Sequence, residues 1–234
     1  MYMDPKEDKR GYASEMQRKV LISLLNNFLI QDNFFLTGGT ALSAFYLYHR
    51  LSNDLDLFTT KTIDLPEIDF WIRQNFNKAT KIRQSETFLS FVIDEIKVDF
   101  VKDSLSIAME RPRVILENNV PLRLDTIANI ASNKLTTLVS RTETKDFIDF
   151  YFIVKKYPDL NREEVLQDAI KKDAIFDDLP TAAFQIEEGF DVVKNKSIAF
   201  PNLLAAIDEQ RFIEFYKEMI AWLYAIGEKR IRGT

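Results

Sequence analysis

The residues whose types and spacing could do chemistry are Asp54 and Asp56, in the segment DLDLFT over residues 54–59. Polar and apolar side chains alternate there, as a half-buried strand requires. A strand would turn both carboxylates to one face, about 6–7 Å apart at Cα. Two like charges so close favour a neutralising cation over mutual ionisation. Hard carboxylate oxygens suit magnesium or manganese. Asp99, in the apolar run IKVDFV over residues 96–101, is the third candidate. Carboxylates on neighbouring strands could hold two ions, which would bind the phosphates of a nucleoside triphosphate and activate an attacking hydroxyl. The rest of such a reaction is positioning and charge stabilisation around phosphorus. Asp99 could also accept the proton of the attacking hydroxyl.

Gly38, Gly39 and Thr40 precede the acidic strand and follow the apolar FFL. Two glycines between a strand and a helix permit a tight turn with free amides, a place for a phosphate. Thr40 could cap the helix or touch the phosphate through its hydroxyl. The segment is neither a dinucleotide-binding fingerprint nor a Walker loop, because the glycine spacing and the lysine are absent.

The elements that must position these groups can be read from hydrophobic periodicity. Residues 12–30 predict a helix, broken at Asp32-Asn33, followed by a short buried strand into the glycines. Residues 40–50 and 66–79 predict further helices. Residues 88–93 and 96–100 predict a hairpin turning at Asp94-Glu95. Residues 107–122 resist assignment between strand and loop. From Thr126 to about Lys156 the pattern is helical, with a break expected near 141–144. Residues 161–172 and 203–228 also read as helices, with Phe200-Pro201-Asn202 marking entry to the last. Its stripe of Phe212, Phe215, Tyr216, Ile220, Leu223 and Ile226 is expected to pack in a core. The fold class expected is α+β. An α/β core over residues 1–122, a small mixed sheet flanked by helices, precedes a mainly helical half over 123–234.

The combination LTGGTALSAFYLYHRLSNDLDLF resembles the signature of the DNA-polymerase-beta-like nucleotidyltransferase superfamily. That signature is an apolar residue, Gly-Gly or Gly-Ser, a helix, and Asp-apolar-Asp or Asp-apolar-Glu, with a later strand Asp that Asp99 matches. Here 14 residues separate Gly39 from Asp54, slightly longer than the commonest spacing. The fuller pattern is similar to the AbiEii/AbiGii toxin-type branch. That branch also carries a lysine, an arginine and a basic-Asp-x-x-Asp motif, matched here by Lys134, Arg141, Lys145, Asp146 and Asp149.

The resemblance covers roughly residues 12–156. It implies that Lys134 contacts nucleotide phosphates, that Arg141 and Lys145 contact nucleotide or acceptor phosphates, and that Asp146 or Asp149 orients those cations or binds base or sugar. If residues 141–149 are helical, Arg141, Lys145 and Asp149 stack at intervals of four. The helical half would then complete a nucleotide and acceptor cleft. The resemblance also implies the toxin of a bacterial toxin–antitoxin or phage-defence pair, using a nucleoside triphosphate. Transfer RNA or another RNA is the implied acceptor, and a cognate antitoxin a possible partner. An aminoglycoside-type small-molecule transferase, or a noncatalytic binding module on the same fold, is the competing expectation.

Composition bounds these readings. The 234 residues are 46% hydrophobic and 29% charged, enough for one substantial core or two small lobes. With no cysteine and one histidine, His49, thiolate and histidine-rich metal sites are excluded. The 19 phenylalanines point to an aromatic core. No apolar run is long enough for a membrane span and the start lacks a secretory pattern, so a cytoplasmic location is expected. A net charge of −5 disfavours nonspecific nucleic-acid binding, while leaving room for a local basic cleft. Arg50 and Ser52 could support the acidic strand, and Arg111 and Arg113 could line an acceptor path.

Overall fold

The computed structural model describes residues 5–106, 110–195 and 202–232. It divides into two compact units, one ending at Thr126 and the other beginning at Ile127.

The first unit opens with α1 (Glu15–Leu25) and α2 (Phe28–Asn33). The single helix expected over 12–30 is therefore two. Asn27 breaks it, because its side-chain oxygen accepts from the amides of Leu29 and Ile30 and starts a new helix. β1 (Phe35–Thr37) leads directly into α3 (Gly38–Ala41), which widens into a π-turn over Leu42–Leu47. The chain leaves that turn through Tyr48 at φ 51°, so the helix expected to reach Arg50 stops short. β2 (Leu55–Thr59) follows, then α4 (Leu65–Asn75), β3 (Ala79–Gln84), β4 (Phe88–Ile93) and β5 (Ile96–Lys102).

The hairpin expected over 88–100 is present. Asp94 and Glu95 take φ of 46° and 69°, the left-handed pair that matches a two-residue turn to twisted strands. β6 (Arg113–Ile115) and β7 (Pro121–Arg123) form a separate ribbon in the stretch that periodicity left open, of which Ile107–Met109 lie outside the described residues.

The five-stranded sheet has the order β1-β2-β5-β4-β3. Only β2 and β5 are parallel; every other pair is antiparallel. The mixed sheet with flanking helices is the expected architecture. Leu36, Leu57, Phe100 and Leu89 occupy one register row, and Leu55, Val98 and Phe91 another on the same face. All seven are buried completely, and the helices bring Leu21, Leu24, Ile68 and Ile72 to the same core. The intervening positions must point to the opposite face, and Asp56 and Asp99 are among them.

The second unit is helical: α5 (Ile127–Ser140), α6 (Thr144–Lys156), α7 (Arg162–Lys172), α8 (Leu179–Asn195) and α9 (Glu209–Arg232). The break expected near 141–144 is real. α8 was not expected, and α9 starts at Glu209 rather than 203. Asp208 fixes that start, its side chain accepting from the amide of Arg211. The proposed entry signal at Phe200-Pro201 lies outside the described residues. Phe147, Phe190, Phe212 and Tyr216 form the centre of this unit, with Phe190 and Tyr216 stacked at 4.7 Å. The Tyr216 hydroxyl donates to the carbonyl of Phe147 at 2.6 Å, so its one polar atom is satisfied inside the core. Most of the apolar stripe of the last helix is core: Phe212, Tyr216, Ile220 and Leu223 are buried, while Phe215 and Ile226 are only half-buried.

Candidate active site

Strand register builds a polar row across four strands of the sheet. Thr37 on β1 pairs with Asp56 on β2, Asp56 with Asp99 on β5, and Asp99 with Ser90 on β4. Paired residues on neighbouring strands lie about 5 Å apart. The two carboxylates are therefore next to each other although 43 positions separate them in sequence. The apolar rows on either side of this polar row face the other way into the core.

Asp54 is not on the strand. β2 starts at Leu55, and Asp54 precedes it, partly exposed. Its main chain is held by two residues. Thr40 donates its hydroxyl to the carbonyl of Asp54 at 2.5 Å. Gln17 of α1 donates to the carbonyls of Ser52, at 2.9 Å, and Asp54, at 3.3 Å, and to the Thr40 hydroxyl. Both side chains are fully buried. Thr40 is thus the third residue of α3 and does not cap it; the capping position is Thr37. Its hydroxyl braces the entry to the acidic strand. Sequence reasoning missed Gln17, although an amide on the apolar face of α1, three and four residues before Val20 and Leu21, was a visible signal.

The glycines press the backbone against the site. Gly38 has φ +70°, a conformation that disfavours any side chain, and a Cβ there would overlap the carboxylate of Asp56. A Cβ on Gly39 would meet the Ser52 hydroxyl at 2.5 Å and the Arg50 guanidinium at 2.7 Å. Arg50 is buried beside this turn and donates to the carbonyl of Leu51.

Asp99 is engaged at both oxygens. Ser90 donates its hydroxyl to Oδ1 at 2.6 Å, and the Lys97 ammonium lies 2.6 Å from Oδ2. Lys97 is two residues back on β5, hence on the same face. Partial burial pulls its pKa down, but the bond to Asp99 and the charges of Asp99, Asp54 and Asp56 outweigh that and hold it above the usual lysine value. One ammonium thus feels all three carboxylates. Among the described residues no three His, Cys, Asp or Glu side chains stand close enough together to hold a metal ion. The donor chemistry fits a hard divalent cation all the same: Asp56 and Asp99 are adjacent, and the Lys97 ammonium shows that positive charge is accommodated at Asp99.

In the helical unit the second motif forms a closed ion network. Lys134 lies 2.7 Å from Asp146 and 2.6 Å from Asp149, both of whose side chains are fully buried. Arg141 grips the other oxygen of Asp146 at 2.7 Å. The expected stack of Arg141, Lys145 and Asp149 does not form. α5 ends at Ser140 and Glu143 is extended, so Arg141 lies in the connection and folds back onto Asp146. Lys145 pairs with Glu143 at 2.8 Å. The Arg141 and Lys145 side chains remain 45% and 40% exposed, against 8% for Lys134, so only the first two are open to an approaching anion.

The fold and the site together define a nucleotidyltransferase-type α+β protein. The chain belongs to the family described as nucleotidyl transferase AbiEii toxin of type IV toxin–antitoxin systems, whose pattern matches residues 19–219. It is similar to the Aquifex aeolicus protein aq_aa25, itself uncharacterized, at 31% identity over 144 residues, which cover 60% of this chain. The match spans 66% of that relative, just under two thirds of its length. Two solved Helicobacter pylori chains share the fold. One is 17% identical with a TM-score of 0.58, covering 92% of this chain and 98% of its own. The other, JHP933, is 17% identical with a TM-score of 0.56, covering 94% and 97%. Among the described residues no helix is long and apolar enough to cross a membrane.

Proposed function

We propose that this protein transfers a nucleoside monophosphate from a nucleoside triphosphate to a hydroxyl of an RNA acceptor, as the toxin of a pair with a cognate antitoxin. The observation that carries the reading is the polar row Thr37–Asp56–Asp99–Ser90, with the Gly38 backbone packed against Asp56. Asp56 and Asp99, with Asp54 at the strand entry, are the residues that would hold Mg2+ or Mn2+. Such an ion supplies positive charge to the triphosphate and lowers the pKa of the acceptor hydroxyl. The acceptor oxygen forms a bond to the α-phosphorus while the bond to pyrophosphate breaks, and the hydroxyl proton passes to Asp99.

Ser90 holds the Asp99 carboxylate in one orientation for that transfer. Gln17 and Thr40 fix the main chain that presents Asp54, and the Gly38-Gly39 turn lets phosphate oxygens approach the backbone. In the helical unit, Arg141 and Lys145 are assigned to phosphates of nucleotide or acceptor. Asp146 holds Arg141, and Lys134 with Asp149 completes the network behind it. Labelled nucleoside triphosphate, magnesium and total cellular RNA test the reading: label should enter RNA with the wild-type protein and not with Asp56→Ala. Label appearing equally with both would sink it.

A further inference from the structure

The first unit holds a second concavity, a cavity of about 620 Å³ at the opposite end of β1 and β2 from the acidic row. Its walls carry Lys61, Arg111, Arg113 and Arg123, with Glu110 the one carboxylate among them. Its volume is within the range of ligand-binding clefts. The register places it. Asp56 pairs with Thr37 at one end of the two strands, while Phe35 at the start of β1 and Thr60 just beyond β2 line the cavity at the other. From Asp56 to Thr60 is four residues, about 13 Å along a strand.

The cations here are built in. The Arg111 guanidinium lies 3.6 Å from the centroid of the Phe35 ring, donates to the Ser106 hydroxyl at 2.7 Å and faces Asp125 at 3.4 Å. Asp125 is fully buried and takes a further bond from Thr37, at 2.7 Å. A flat guanidinium fixed on a ring loses little freedom when an anion docks. Arg123 is anchored to the carbonyls of Gln31 and Asp32. Burial, and then the charges of Arg113 and Arg111, hold its pKa below the usual arginine value despite Asp32, so an anion in the cavity would relieve repulsion among the three. Lys61 and Arg113 are exposed at the rim.

We propose that this cavity binds phosphodiester groups of the polynucleotide acceptor, upstream of the hydroxyl that reacts; this rests on the nucleotidyl-transfer reading. Four cations around one cavity select for phosphate. The spread of the cations decides which phosphate. Arg111, tied through Asp125 to Thr37, stands nearer the acidic row. Lys61 lies beyond Thr60, where a triphosphate with its reacting phosphorus at Asp56 does not extend. A polynucleotide repeats its charge along its length and can meet both. A net acidic chain needs such a local basic patch to bind RNA at all.

The test is fluorescence anisotropy of a labelled single-stranded RNA, without metal or nucleotide, over a range of salt. The full chain is compared with Lys61→Gln/Arg113→Gln, two exposed positions chosen to spare the fold. The variant should bind more weakly, and the slope of log K on log salt should fall in magnitude by about 0.7 for each cation lost. Equal affinity and slope in the two proteins, or no RNA binding by the wild type, would overturn the proposal. The melting-temperature shift given by magnesium and nucleoside triphosphate should be the same in both; its loss in the variant would mean the cavity holds nucleotide phosphates instead, which also overturns it. Asp56→Asn separates the two readings, since it should lose the nucleotide shift and keep RNA binding. If the wild type gives no nucleotide shift while RNA binding still depends on Lys61 and Arg113, nucleotidyl transfer fails and the basic cavity stands.

Discussion

Asp56 and Asp99 of the α/β unit and Asp146 and Asp149 of the helical unit are two pairs of aspartates in opposite surroundings. The first pair opens to solvent at the half-buried Asp56, with Asp99 8% exposed beside it, and three carboxylates, counting Asp54, act on the ammonium of Lys97. The second pair is sealed, with both side chains at zero exposure and the cations Lys134 and Arg141 bound to them. A sealed pair must be neutralised within the protein, because an uncompensated charge there has no water to turn to. A pair that water still reaches can exchange a partner for something that binds. The contrast lies in the cations: Lys134, which holds the helical pair, is 8% exposed and enclosed with it, whereas Lys97, which holds Asp99, is 43% exposed and can be displaced.

The largest effect should come from unbalancing the sealed pair. Lys134→Met removes the cation shared by Asp146 and Asp149 and should cost about 3–5 kcal/mol of folding stability, read from a urea melt. A loss below about 1 kcal/mol, the size seen for surface ion pairs, would show that the network is not sealed in solution. Asp56→Asn, on the open row, should do the reverse. Asp56 is half-buried and engaged, so stability should fall by about 0.5–1.5 kcal/mol, well short of the Lys134→Met loss, while the magnesium-dependent melting shift disappears. Comparable stability losses in the two variants would erase the distinction between the regions.

The same contrast governs what could be read from sequence. Asp56 and Asp99 were legible because a carboxylate in an apolar, alternating strand is conspicuous, and the glycine turn ahead of them marked the place. Their partners were not: Ser90 joins Asp99 only through strand register, which no local pattern reveals. Lys97 stands two residues before Asp99, so its shared face was implied, but not that its ammonium would reach the carboxylate. The sheet and hairpin were legible from period-two alternation and the turn at Asp94-Glu95.

The helical unit was harder. α8 has apolar residues at Leu179, Ala182, Ala183, Ile186, Phe190 and Val193, yet Pro180 and Gly189 interrupt the pattern as breakers would. Gly189 is there for packing, since a Cβ would come 3.3 Å from the ring of Phe147. The stack of Arg141 on Lys145 and Asp149 failed for a related reason. Three residues of connection, invisible to a helical template, let Arg141 turn back to Asp146.

A smaller perturbation tests how closely the backbone must approach the acidic row. Gly38→Ala forces a side chain into a left-handed position and against the Asp56 carboxylate, and should cost about 1–2 kcal/mol from the backbone alone. The variant should also lose the magnesium-dependent melting shift, because Asp56 must move to admit the methyl group. A stability loss with an unchanged magnesium response would mean that Asp56 can give way without leaving the site.

The smallest change in stability, and the sharpest statement about the open row, comes from Lys97. Its side chain is 43% exposed, and an ion pair at such a position contributes between about 0 and 1 kcal/mol. Lys97→Met should therefore leave the urea midpoint close to wild type. Its effect on a divalent ion should be large by comparison. In the wild type an entering ion competes with the ammonium for Oδ2 of Asp99 and meets its positive charge beside Asp54 and Asp56. Removing that charge should tighten Mn2+ binding, measured by calorimetry or by the loss of the free-ion signal in electron paramagnetic resonance. Lys97→Arg keeps the charge and should bind Mn2+ close to the wild-type level, which distinguishes electrostatic competition from a change in packing. Weaker Mn2+ binding by Lys97→Met would mean that the ammonium supports the metal-bound arrangement, and the open row would then be balanced from within like its sealed counterpart.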